Sequence, residues 1–272
     1  MNTNFRNMAR EALKRAKLEI ASGERDRLPY AALEIRNAME AVTYDRAESY
    51  KNEIPDASYR TWQPRKLLEY LLEIEPTAVL GSSLTVGVEE EYGKPAKVMQ
   101  PLGSEEALTM RDLKNHYNAL GSYLHIPTLY QLEKGNVTDL CSLEIRCQTC
   151  IDILEKVLKS PVWNINIGMF SRTECVRCKF LMKKRLQPEL AGPVGARCIG
   201  CGAEYIVTDE GPDAVVWTPK WQEIDCRTSE CDKKIGLWPD EIRPGTNWKC
   251  EGCGEAFVIT LAALKQESST SD

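Results

Sequence analysis

Residues 175–201 read CVRCKFLMKKRLQPELAGPVGARCIGC, and residues 226–253 read CRTSECDKKIGLWPDEIRPGTNWKCEGC. In the first stretch two residues separate Cys175 from Cys178, nineteen follow, and two separate Cys198 from Cys201. In the second, four residues separate Cys226 from Cys231, eighteen follow, and two separate Cys250 from Cys253. Each stretch is thus two close thiol pairs joined by a loop containing strand-forming residues. Four thiolates satisfy a tetrahedral zinc ion at ~2.3 Å. A Cys-x-x-Cys turn sets two sulfurs on one side of the metal, and its amides stabilise the thiolate charge. Gly200, Gly202, Gly252 and Gly254 supply the tight geometry. A pair of redox dithiols would call for a thioredoxin-like βαβ context, which is absent from the pattern. Two Zn2+ ions are therefore expected. With four Cys ligands each, the sites leave no position for a water, so they are structural and not catalytic.

These stretches resemble tandem zinc ribbons over residues ~171–262, and their common plan about 50 residues apart suggests a duplication. The resemblance implies small β units in which metal binding substitutes for an extensive core. Working outward, the chain has 272 residues, 11 Cys, 2 His and a formal net charge of −5. The length suits about two domains. The charge excludes nucleic-acid binding by bulk electrostatics, so any such contact needs a local patch. No span reaches the ~18 apolar residues of a membrane helix, and the start carries no secretory apolar region. A cytoplasmic location without membrane contact is expected, and a disulfide framework is out of place there.

Composition changes near Ser160–Pro161. Eight of the 11 Cys, five of the six Trp and ten of the 17 Gly lie beyond it, and both His lie before it. Helical periodicity marks residues ~4–21, ~28–51, a segment from Pro64 to before Pro76, one from a Ser104 cap to about Leu124, and ~139–159. A small β-hairpin over ~83–99 turns at Gly93-Lys94-Pro95. Beyond the boundary, Val162–Ile167, Ala203–Thr208, Ala214–Thr218 and Ala256–Leu261 read as strands. The expected fold class is α+β: an all-α bundle with a hairpin over 1–160, ribbons over 161–222 and 223–264, and a disordered tail over 265–272.

The remaining Cys141, Cys147 and Cys150 fall on the last bundle helix, where small buried thiols pack as apolar groups. Lys179, Lys183, Lys184 and Arg185 form a basic run between ligand pairs. With Trp217, Trp221, Trp238 and Trp248 taken as exposed, the ribbons have the makings of a nucleic-acid or a protein docking surface. Solvated loop charges and core tryptophans are the plainer reading of the same residues.

Both His lie in RDLKNHYNALGSYLH, residues 111–125. On a regular helix Arg111, Asn118 and His125 share a face, while Arg111 and His116 stand ~140° apart. Gly121 allows another backbone to approach. Arg111-Asp112 followed by a four-residue spacer ending at His116 resembles the signature of the HEPN superfamily. Residues 119–125, ALGSYLH, and residues 32–40, ALEIRNAME, resemble helices of some members, the whole likeness spanning ~25–160. In the alignment through 119–125 the Arg position falls near Asn118, a departure from the family pattern. The resemblance implies a homodimer through the bundle and metal-independent RNA cleavage, as in bacterial defence or toxin-like systems. Arg would stabilise the phosphorane charge, and His would move the proton. Arg111, His116, His125 and Asn118 are the candidate catalytic residues. Two classes thus stand side by side: a zinc-binding protein engaging RNA or other nucleic acid, endoribonuclease included, and a non-catalytic ribbon adaptor in a protein complex.

Overall fold

The computed structural model describes residues 4–55, 60, 63–91, 94, 96–134, 139–186, 192–211, 214–260 and 262. The expected hairpin-turn residues Gly93 and Pro95 and the expected tail over 265–272 lie outside the described residues. Helices come first, followed by small antiparallel sheets, a mixed α and β architecture. Among the described residues no helix is long and apolar enough to cross a membrane.

The helical unit begins with α1 (Phe5–Ala21), where the Asn4 side chain accepts the Asn7 amide. Helix α2 (Leu28–Glu48) follows a short 3-10 turn over Arg25–Arg27, and α3 (Pro64–Ile74) opens on a proline, whose missing amide is harmless there. Helix α1 buries Ala9, Ala12, Leu13 and Ala16, while α2 buries Ala31, Ala32, Ile35, Ala38 and Met39. These alanine-rich faces let the two helices pack closely. Strands β1 (Ser82–Val86) and β2 (Gln100–Glu105) pair antiparallel, Ser82 opposite Glu105, with a bulge at Leu84/Thr85. Ser104 therefore belongs to a strand and caps no helix. The cap is Thr109, which exchanges hydrogen bonds with Asp112 in a capping box. Helix α4 (Met110–Asp112) runs into a π-helical turn over Leu113–Tyr117 and then α5 (Asn118–Ser122). A further short helix, α6 (Leu129–Glu133), precedes α7 (Leu140–Lys159), which Asp139 caps.

The chain divides into two compact units at a place composition did not indicate. The helical unit runs through Glu174 and resumes over Leu181–Pro188, while the second takes Cys175–Phe180 and the residues from Glu189 onward. Residues Val162–Ile167 form no strand. Pro161 opens them, and Asn164 adopts a left-handed φ of 54°. The Asn164 amide donates to Glu105 at 2.7 Å and its side chain to the Asp45 carbonyl at 3.0 Å, so this stretch wraps the helices. Strands β3 (Phe170–Glu174) and β4 (Leu181–Arg185) then pair antiparallel. Met182 and Lys184 on β4 are buried, which ties this hairpin to the helical unit.

The second unit contains a three-stranded sheet of β5 (Val194–Arg197), β6 (Glu204–Asp209) and β7 (Val215–Pro219). Two hairpins follow, β8 (Gln222–Asp225) with β9 (Lys234–Leu237), and β10 (Asn247–Lys249) with β11 (Ala256–Val258). The two Cys-rich stretches share one aromatic core. Tyr205 lies 6.2 Å from Trp217 and 5.7 Å from Trp238, and Trp238 lies 5.7 Å from Trp221. Arg177 adds ion pairs to Asp240 and Glu241 at 2.9 and 2.8 Å.

Candidate functional site

Each group of four cysteines has its sulfurs within 4.8 Å of one another. In the first, Cys175 Sγ is 3.7 Å from Cys201 Sγ, and Cys178 Sγ is 3.6 Å from Cys198 Sγ. In the second, Cys226 to Cys253 spans 3.7 Å and Cys231 to Cys250 spans 3.8 Å. A tetrahedral ion with ~2.3 Å sulfur bonds needs sulfurs ~3.8 Å apart, whereas a disulfide needs ~2.05 Å. The spacing is that of metal ligands, and each group can hold one ion.

The backbone explains why these sulfurs converge. In the turns starting at Cys175, Cys198 and Cys250, the amide four residues on donates to the first Cys carbonyl, at 2.8, 2.8 and 2.9 Å. That fourth residue is Lys179, Gly202 or Gly254, each with positive φ, at 63°, 79° and 79°. Glycine is free to adopt this conformation and lysine is strained in it. The wider Cys226–Cys231 turn solves the same problem with Glu230 at φ 78°. Around the first site, the buried Tyr205 hydroxyl donates to Cys175 Sγ at 3.3 Å and accepts the Val176 amide at 3.0 Å. Burial pushes the Cys175 thiol up, but this hydroxyl and the Cys178 and Arg177 amides outweigh it and bring the thiol down to about 7. The hydrogen bonds thus favour thiolate at Cys175, whereas burial raises the Cys198 and Cys201 thiols. In the second group Cys253 lies exposed beside the Thr228 hydroxyl at 3.5 Å.

The histidine region differs from a regular helix. The π turn at Leu113–Tyr117 takes one more residue than an α turn. Residues beyond it fall back by about 100°, so Arg111 and Asn118 lose their common face. His125 sits in a bend beyond Ser122, the last helical residue, so the wheel does not apply to it. Arg111, Asn118 and His125 are exposed. His116 is half-buried, with Nδ1 3.5 Å from Arg146 Nη1, and that guanidinium donates to the Asn115 carbonyl at 3.0 Å. Burial and the Arg146 charge hold the imidazole below its ordinary value, Asp112 partly opposing them. Both effects favour the neutral imidazole. Arg can only donate, so pairing of Nδ1 with Arg146 selects the tautomer that carries its ring proton on Nε2.

No family model, curated protein or solved structure matches the chain.

Arg146 was not singled out in the sequence, because it lies thirty residues from His116 on another helix. A second group supports the π turn. The Tyr117 hydroxyl donates to Glu40, and the Arg36 guanidinium lies 4.3 Å from the Tyr117 ring centre. A Cβ on Gly121 would come within 2.9 Å of Arg36 Nη1. The glycine therefore makes room for a side chain, not for a backbone.

The basic run is turned inward. Lys183 donates to Glu53 at 2.6 Å, and Arg185 donates to Glu75 at 2.6 Å and to the Ile167 carbonyl at 2.8 Å. Lys184 is 4% exposed, and burial lowers its ammonium, with Glu73 and Glu75 as the opposing charges. Lys183 and Arg185 pair β4 to the helices and Lys184 is buried, so the run is not a free phosphate-binding strip; of the four, Lys179 alone is exposed. Of the tryptophans expected at the surface, Trp238 is buried and Trp217 and Trp248 are half-buried, whereas Trp221 is exposed. Cys147 and Cys150 are fully buried, and burial pushes both thiols up to about 12, which makes them inert packing groups. Cys141 is exposed, with Arg25 Nη2 3.7 Å from its sulfur.

Proposed function

We propose that this chain is a two-zinc, HEPN-like protein that engages RNA, its helical unit holding the phosphate backbone through Arg111, His116 and Arg146 and pairing as a homodimer. Zinc is the reading for the metal because closed, tetrahedral all-thiolate sites suit it and need no redox chemistry. It would be held by Cys175, Cys178, Cys198 and Cys201, and by Cys226, Cys231, Cys250 and Cys253, and would supply folding energy and no reaction step.

The observation that carries the RNA reading is His116 beside Arg146. A neutral imidazole whose Nδ1 faces a guanidinium offers Nε2–H as a donor, and Arg146 offers a permanent charge. Exposed Arg111, five residues before His116 in the chain, is the second cation of the proposed phosphodiester site. Cleavage by the attack of a 2′-hydroxyl requires Nε2 to accept a proton, hence the other tautomer, so binding is the primary activity of the arrangement and cleavage the secondary one. Support for pairing comes from Ile126, Leu129, Tyr130 and Leu132, all exposed by more than half, which leave an apolar strip to cover.

The chain has only two His, so imidazole NMR tests the site directly. Zinc-loaded protein is titrated with single-stranded RNA in magnesium-free buffer. The His116 resonances should shift, His125 serving as the internal control, and Arg111→Ala or Arg146→Ala should suppress the shift. Release of fragments that His116→Ala abolishes would add the endoribonuclease activity. Unmoved His116 resonances at high RNA concentration would overturn the reading in favour of a protein adaptor.

A further inference from the structure

The second unit contains a groove of about 690 Å³, lined by Trp221, Trp248, the β9 and β10 strands and the Cys250–Gly252 turn. That volume falls in the range of specific ligand sites. Its two indoles are held as platforms. A Cβ on Gly236 would lie 2.7–3.0 Å from Trp221 Cδ2, Cε3 and Cε2, so the Trp221 ring lies flat over the Gly236 backbone. Trp238 holds the same ring by its edge at 5.7 Å. Trp221 is nevertheless 37% exposed. Trp248 is stacked on Phe257, with centroids 4.4 Å apart and planes 20° from parallel, and remains half-buried. In both cases protein backs one face of an indole that keeps contact with solvent.

Among the lining side chains lysines outnumber free carboxylates, although the chain as a whole is acidic and Cys250 belongs to a four-thiolate group that stays net negative with zinc bound. Lys233 and Lys249 are exposed and make no ion pair among the described residues. Lys234 reaches Glu223 only at 3.5 Å, a surface pair of little strength. Of the lining carboxylates, Glu241 is already taken by Arg177 and by the Trp238 amide. Glu251 is the one left uncommitted among the described lining residues. Flat aromatic platforms interleaved with free lysines are the elements of single-strand recognition, in which bases stack and phosphates pair with cations.

We infer that this groove is a binding site for single-stranded nucleic acid, with bases stacking on Trp221 and Trp248 and phosphates held by Lys233 and Lys249. An acidic peptide would satisfy the lysines but leave the indole faces unused, and a duplex hides its base faces. The site uses none of the residues of the helical unit, so it stands or falls apart from the role proposed for His116.

The test is fluorescence anisotropy of the full zinc-loaded chain, and of its Arg111→Ala with Arg146→Ala variant in which the helical unit's phosphate contacts are removed, with labelled octauridylate, octadeoxythymidylate and an abasic octamer of equal charge, the variant's values deciding. Both base-bearing strands should bind, and the abasic one at least tenfold more weakly. Lys233→Gln with Lys249→Gln should reduce the slope of log affinity against log salt by about 1.4, at ~0.7 per lost phosphate contact on a single strand. Trp221→Leu should weaken binding about tenfold or more. If Trp221→Leu does not fold, the surface lysine variants and the abasic comparison still decide the matter. Arg146→Ala should leave octamer-induced quenching of tryptophan fluorescence intact. Absence of binding, equal binding of the abasic strand, an unchanged salt slope in the lysine variant, or displacement by an acidic peptide but not by an octamer would overturn the inference.

Discussion

Replacing Glu105 by alanine should unfasten the helical unit at one point. Its carboxylate is 5% exposed and accepts from Arg46 Nη1 at 3.0 Å, Ser82 Oγ at 3.2 Å and the Asn164 amide at 2.7 Å. It thus joins α2, the start of β1 and the stretch after α7. In Glu105→Ala the Arg46 side chain, 11% exposed, keeps only the Ala78 carbonyl at 3.0 Å among described partners. Stranding one charge of a buried pair costs about 3–5 kcal/mol. At ~2–4 °C per kcal/mol for a unit of this size, the Tm should fall by about 6–20 °C. Helical circular dichroism follows this unit, because two units need not melt together. The double variant Arg46→Met with Glu105→Leu should recover much of the loss, since it leaves no buried charge unpaired. A loss under ~1 kcal/mol, or a double variant no better than Glu105→Ala, would refute the reasoning.

Other perturbations test separate links. Arg146→Gln should raise the His116 titration midpoint measured by NMR, because it removes a cation that disfavours imidazolium. Lys184→Met should stabilise the protein slightly at neutral pH, since it removes an ammonium whose charged form burial disfavours. Because folding lowers the Lys184 ammonium, the unfolded chain binds more protons as pH rises toward the ordinary lysine value. Wild-type stability should therefore rise across that alkaline window, and denaturant titrations of Lys184→Met should lack that part of the rise. Lys179→Gly should raise the Tm slightly, by relieving a left-handed lysine worth about 1 kcal/mol, if scanning calorimetry is done on metal-loaded protein.

How much of this was legible in the sequence differed by the range of the interaction. The eight paired cysteines were legible because a metal site imposes local spacing, and Gly202 and Gly254 marked the positive φ their turns need. Helices α1, α2, α3 and α7 followed from periodicity and caps. The unit boundary was not legible, because Lys183, Lys184 and Arg185 read as a solvated loop until the buried carboxylate Glu75 and the half-buried Glu53 are brought opposite them. Val162–Ile167 has strand composition, yet the Asn164 bonds to Glu105 and Asp45 override it. The π turn has no periodic signature, so the face predicted for Arg111, Asn118 and His125 was that of a regular helix. Arg146 could be found only from the tertiary fold.

The two groups of four cysteines are each expected to hold one zinc ion. Native mass spectrometry of protein purified without added chelator, with elemental analysis of the same sample, measures this directly. The account predicts two zinc ions per chain, and one only when Cys175 or Cys253 is replaced by serine in a site that then fails to hold its ion. A folded wild-type chain carrying no metal, or holding the eight cysteines as disulfides, would contradict it.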